Sequence, residues 1–216
     1  METSELIISK VRDWVKQKLS TVESGHDWWH IHRVYQTAMH LAQSEGADTT
    51  IVALAALLHD LSDAKLTAEP EAVEDEIISF LQQNGIPQEQ IGHVMHIIRN
   101  LSFRHSSSFT GTKSKEFQVV QDADRLDAIG AIGIARAFSY GGYRMRPFLN
   151  YPSRELAEKA LMHKPQDGST IGHFYEKLLL LKDMMNTDTA RRLAEERHQF
   201  MLQWLDQFYK EWEGKA

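Results

Sequence analysis

The chain has no cysteine. That removes disulfides, thiolate metal sites and a cysteine nucleophile, and it fits a reducing compartment. No apolar run approaches the ~20 residues needed to span a bilayer. The opening Met1-Glu2-Thr3-Ser4-Glu5 is polar and acidic, without the pattern of a signal peptide. The expectation is a cytoplasmic protein without a membrane partner. Positive charge is not in excess either. The formal net charge of -6 argues against a nucleic-acid backbone as the main partner. A small anionic substrate stays admissible, because a bound divalent cation reverses the local field. Gly141-Gly142 lacks a following Lys-Ser/Thr, so no phosphate-cradling glycine loop is present, and no serine nucleophile elbow appears. Short alternating β-branched runs are almost missing, which leaves little for a sheet.

What is present reads as helix. With 216 residues, 42% hydrophobic and 25% charged, the chain can bury a sizeable core. Leu6, Ile7, Val11, Trp14, Val15 and Leu19 recur at helical spacing over 4–19, and Ile31, Val34, Ala38 and Leu41 over 28–44, which Asp27 opens and Gly46 closes. A third helix starts at Asp48 or Thr49 and is almost wholly apolar through Leu58, as a helix buried on all sides should be. Further helices are expected at 71–84, from Ile86-Pro87 to Leu101, at 116–138 with a break near Gly130 and Gly133, and at 153–162, 171–186 and 188–213. Ser102–Lys115 and Tyr140–Pro152 read as loops. The class is all-α, in one domain.

Chemistry concentrates in three places. Ala55-Ala56-Leu57-Leu58-His59-Asp60 ends an apolar run in an adjacent imidazole and carboxylate, with Asp63 and Lys65 just beyond. Either the pair delivers two unlike metal ligands, or His59 caps carbonyls and Asp60 pairs with a base. Upstream, His26, His30 and His32 fall within seven residues, and His30 shares its face with Val34. A lone histidine on an apolar face is more often a core residue than a ligand. Downstream, Val119-Val120-Gln121-Asp122-Ala123-Asp124-Arg125-Leu126-Asp127 places three acids among apolar residues, a costly arrangement unless a cation compensates. Asp124 and Asp127, three apart, share a face. Two imidazoles with carboxylates form a mixed N/O set suited to Mg²⁺, Mn²⁺ or another divalent transition metal.

The ordered set His30, His59-Asp60, Asp124 resembles the H…HD…D signature of the HD-domain metal-dependent phosphohydrolase superfamily. The stretch Gln121–Arg136, with Tyr140-Gly141-Gly142 and His173-Phe174-Tyr175-Glu176-Lys177-Leu178, is similar to the small bacterial YpgQ/YedJ-like subfamily, so the likeness covers nearly the whole chain. It implies an all-helical HD domain, with a metal-binding core over about 20–140 and C-terminal helices 153–213 packed on it. It implies one divalent ion, Mn²⁺ or Mg²⁺ before other transition metals, on His30, His59, Asp60 and Asp124. Asp127 is the alternative fourth ligand. It also implies hydrolysis of a phosphate ester or anhydride, and the subfamily points to nucleoside triphosphates cleaved to the monophosphate and pyrophosphate.

Beyond the ligands, Asp63 is a candidate general base for the attacking water, or a loop acid paired with Lys65. Lys65 is a candidate for neutralising a phosphate oxygen, or a solvated lysine. His96 is expected to line the pocket and His93 to be exposed. Arg33, Arg125 and Arg136 are candidate partners for phosphate or carboxylate. Trp28 and Trp29 offer an aromatic wall or core packing, and the C-terminal Trp/Phe/Leu stripe a core or a homodimer seam. Rival readings are a phosphomonoesterase or cyclic-nucleotide phosphodiesterase on the same fold, a catalytically silent nucleotide sensor signalling through 103–115 and 140–152, and a helical adaptor.

Overall fold

The computed structural model describes residues 2–20, 27–63, 67–101, 111–164 and 166–216, with side chains from residue 5. Among these the structure is all-α, without a strand. The α-helices of the described residues are α1 (Glu2–Lys18), α2 (Trp28–Glu45), α3 (Thr49–Leu58), α4 (Pro70–Gln83), α5 (Gln88–Asn100), α6 (Lys115–Asp127), α7 (Gly130–Tyr143), α8 (Arg154–His163), α9 (Thr170–Glu176) and α10 (Asp188–Trp212), with a 3₁₀ segment at Leu178–Met184. Two compact units divide inside α6, one ending at Asp124 and the other beginning at Arg125.

In the N-terminal unit α3 is the central helix. Ile51 through Leu58 are all buried, so α3 shows no polar stripe and has neighbours on every side. It packs against α1, α2 and α5. Its start is fixed chemically. The Asp48 side chain accepts from the Thr50 and Ile51 N–H groups, satisfying two donors that a helix N-terminus leaves open. The Asp48 N–H in turn donates to Glu116 Oε1 at 3.0 Å, which ties the start of α3 to α6. Burial raises the Glu116 pKa, but bonds from the Asp48 and Glu116 N–H groups and the Ser114 hydroxyl hold it below the usual value. Asp48→Ala is expected to cost about 1 kcal/mol of stability, read from the shift in urea midpoint.

In the C-terminal unit α7 packs on α9 and α10, and the 3₁₀ segment on α9 and α10. Aromatic rings form its core. Phe174 stacks on Trp204, and Trp204 on Phe208, at centroid distances of 5.6 and 5.2 Å. Two expectations need correction here. Tyr140–Tyr143 belong to α7 and not to a loop. Gly141 sits where a Cβ would collide with Thr170 Oγ1, so this glycine serves close helix packing. The helix expected over 171–186 is interrupted at Lys177 (φ -141°, ψ -57°), and the chain continues as 3₁₀. The break expected near Gly130 is present: Gly130 opens α7 at φ +75°, a conformation that disfavours any side chain.

Candidate metal centre

The site is assembled from helix ends. Asp27 accepts from the His30 N–H at 2.9 Å and so opens α2. His30 therefore lies in the first turn, on the side that carries the buried Ile31, Val34 and Ala38. Its side chain is 1% exposed. At the other end of α3 the helix stops at Leu58 and leaves His59 and Asp60 in a tight turn, with the Leu61 N–H donating to the Leu58 carbonyl. Both residues are buried.

His59 answers the choice posed by the sequence by doing two things at once. Its Nδ1 lies 2.9 Å from the Ala56 carbonyl. A carbonyl only accepts, so Nδ1 carries the proton and caps the helix, while Nε2 presents a lone pair. That Nε2 is buried and has no hydrogen-bond partner. A buried acceptor without a donor is costly in a folded protein. Its surroundings are the other ligand candidates. Asp60 Oδ1 is 3.4 Å and Asp124 Oδ1 3.9 Å from it. His30 Nε2 lies 3.3 Å from Asp60 Oδ2 and 3.5 Å from Asp124 Oδ1. Ligand atoms of His30, His59 and Asp60 all lie within 4.8 Å of one another. The Asp124 side chain, 39% exposed, opens this cluster to solvent on one side. Two imidazoles and two carboxylates balance a divalent ion in charge and match its donor preference, so the residues present fit such an ion.

Other candidates fall elsewhere. Asp127, the alternative ligand, is buried and paired with Arg136, Nη1 to Oδ2 2.7 Å. Asp63 is half-buried just past the turn, its N–H donating to the Asp60 carbonyl at 3.0 Å. Lys65, His26 and residues 102–110 lie outside the described residues. His93 and His96 exchange their expected places. His96 is exposed, whereas His93 is half-buried with Nε2 2.8 Å from Ser114 Oγ. Trp29 is 61% exposed and Trp28 half-buried. Arg125 donates to the Met184 carbonyl. Arg197 donates to the Leu126 carbonyl, although nothing in its local pattern separates it from a surface arginine of α10.

The HD domain family model matches residues 28–129, which span all four residues of the cluster. Protein YpgQ of Bacillus subtilis (strain 168) is 43% identical over 206 residues, covering 95% of this chain and 93% of that one. This chain belongs to the HD-domain superfamily. More narrowly it falls with the YpgQ-like proteins. The structure of YpgQ in complex with ADP matches this fold with a TM-score of 0.79 at 42% identity, covering 97% of this chain and 96% of that one. An HD-superfamily hydrolase from Bacillus thuringiensis gives 0.76 at 41% identity, over 97% of this chain and 98% of that one. A predicted HD-superfamily hydrolase from an uncultured Thermotogales bacterium gives 0.63 at 27%, over 94% and 92%. The chain is thus an HD-superfamily hydrolase, an enzyme of the metal-dependent phosphohydrolase type, and the HD assignment carries with it a divalent metal ion. No helix among the described residues is long and apolar enough to cross a membrane.

Proposed function

We propose that this HD hydrolase cleaves nucleoside or deoxynucleoside triphosphates to the monophosphate and pyrophosphate, with one Mn²⁺ or Mg²⁺ ion held by His30, His59, Asp60 and Asp124. The observation that carries the reading is the buried, unpartnered His59 Nε2 facing two carboxylates. The nucleotide part draws support from YpgQ, whose structure in complex with ADP matches this chain end to end.

When bound, a divalent ion supplies Lewis-acid polarisation of a phosphoryl oxygen and lowers the pKa of water. The chain's own residues divide the remaining work. His30, His59, Asp60 and Asp124 fix the ion. Asp63, just past the turn that holds the dipeptide, takes the proton from the attacking water. The water oxygen bonds to the α-phosphorus, the bond from that phosphorus to the bridging oxygen breaks, and pyrophosphate leaves with the electron pair. Lys65 neutralises charge on the leaving group.

The test is a panel of nucleoside tri-, di- and monophosphates and cyclic nucleotides with Mn²⁺ or Mg²⁺. Turnover confined to triphosphates supports the reading. Preferred turnover of monophosphates or cyclic nucleotides replaces it with a phosphomonoesterase or phosphodiesterase, and metal retention without any turnover replaces it with a sensor. Lys65→Ala is expected to lower kcat/KM by about tenfold, the size of one lost charged hydrogen bond, while metal content stays unchanged. Lost metal in that variant contradicts the division of labour.

A further inference from the structure

Helix α6 offers two carboxylates from one face, Asp124 and Asp127. Residues three apart on a helix have Cβ atoms about 5–6 Å apart, close enough to compete for one cation. The two acids have different surroundings. Asp124 lies against the imidazoles of His30 and His59. Asp127, only 5% exposed, receives Arg136 Nη1 on its Oδ2 at 2.7 Å. The same Nη1 also approaches the Asp127 carbonyl at 3.3 Å. One guanidinium from α7 thus engages both the side chain and the backbone of the last residue of α6. The neighbouring carbonyl of Leu126 accepts from Arg197. Cations at these open carbonyls also complement the negative end of the helix.

We propose that Arg136 is a positioning residue for the metal centre: by engaging Asp127 it commits that carboxylate to the helix end and leaves Asp124 as the acid that α6 offers to the ion. The inference rests on the ligand set given above. Without Arg136, Asp127 is a buried anion that has lost the guanidinium bonded to its Oδ2. It finds relief through movement of the last turn, and Asp124 stands one turn away. Metal–ligand distances tolerate only about 0.2 Å, so a small shift of that turn weakens the ion's hold.

The experiment is calorimetric titration of metal-free protein with Mn²⁺, alongside its thermal midpoint without metal. Arg136→Gln is expected to weaken Mn²⁺ binding by about tenfold, the low end for loss of a partner behind a ligand, and Arg136→Lys by less. The deciding variant is Arg136→Gln with Asp127→Asn. Here no anion is left to restrain, and Mn²⁺ affinity is expected to return to within about threefold of wild type. A role confined to stability lowers the thermal midpoint and leaves affinity intact, which overturns the proposal. So does a tenfold loss that persists in the double variant. If Arg136→Gln alone does not fold, the double variant decides by the same criterion. Asp124→Asn reports separately on the ligand set: Mn²⁺ binding that survives it overturns the assignment of Asp124, whatever Arg136 does.

Discussion

Asp60→Ala is expected to yield a folded protein that retains no divalent ion and hydrolyses no nucleotide above background. Asp60 is the buried acid that faces both imidazoles, with one oxygen 3.3 Å from His30 Nε2 and the other 3.4 Å from His59 Nε2. Its loss leaves two neutral nitrogens and the partly exposed Asp124, a set with half the negative charge. Removing a partner that merely supports a ligand costs ~10–100-fold in affinity or activity. Losing a ligand itself should exceed that range. The fold should survive, because Asp60 lies in a turn beyond α3 and the helix is held by its own buried side chains. Elemental analysis, circular dichroism and a turnover assay on one sample check all three statements. A variant with full activity sinks the site.

The second large effect concerns α3. Leu54 is fully buried, on a helix surrounded by α1, α2 and α5. Leu54→Ala is expected to cost about 3 kcal/mol, the sum of lost burial and the cavity left behind. The measurement is urea unfolding of the metal-free protein. Repeating it with Mn²⁺ at about a hundredfold over its Kd should return ~2.7 kcal/mol, since an ion bound only by the folded state stabilises it by mass action. A loss under 1 kcal/mol would mean that α3 is not the structural centre of its unit.

Much of the fold could be read from residues because local and tertiary signals agree. Asp27 and Asp48 cap the helices they were expected to start. The apolar run before His59 demanded a helix buried all round, and the run is buried throughout. Disagreement arose where packing overrides propensity. Gly141-Gly142 reads as loop because glycine disfavours helix by about 1 kcal/mol, yet the close approach of Thr170 to Gly141 suits a residue without a Cβ. Periodicity could not separate α9 from the 3₁₀ segment, since apolar residues at 178–181 satisfy either repeat.

The site shows the same division. The sequence marked His59-Asp60 as an imidazole beside a carboxylate at the end of an apolar helix and His30 as lying on an apolar face, and the fold brings the three together. Spacing alone did not separate Asp124 from Asp127, since both lie on the same helix face, and the choice of Asp124 came from the family resemblance. In the structure Asp124 lies beside the imidazoles of His30 and His59, and Asp127 pairs with Arg136, nine residues beyond it, a contact that no local pattern announces. His93 and His96 were exchanged for a related reason: a bond to Ser114, 21 positions away, draws His93 inward.

The most direct test is product analysis on a single triphosphate, resolved by ion-exchange chromatography, with Mn²⁺ present and after its removal by chelation. The account predicts monophosphate and pyrophosphate in equal amounts with the ion, and no products without it. Diphosphate with orthophosphate, or hydrolysis undiminished after chelation, would contradict it.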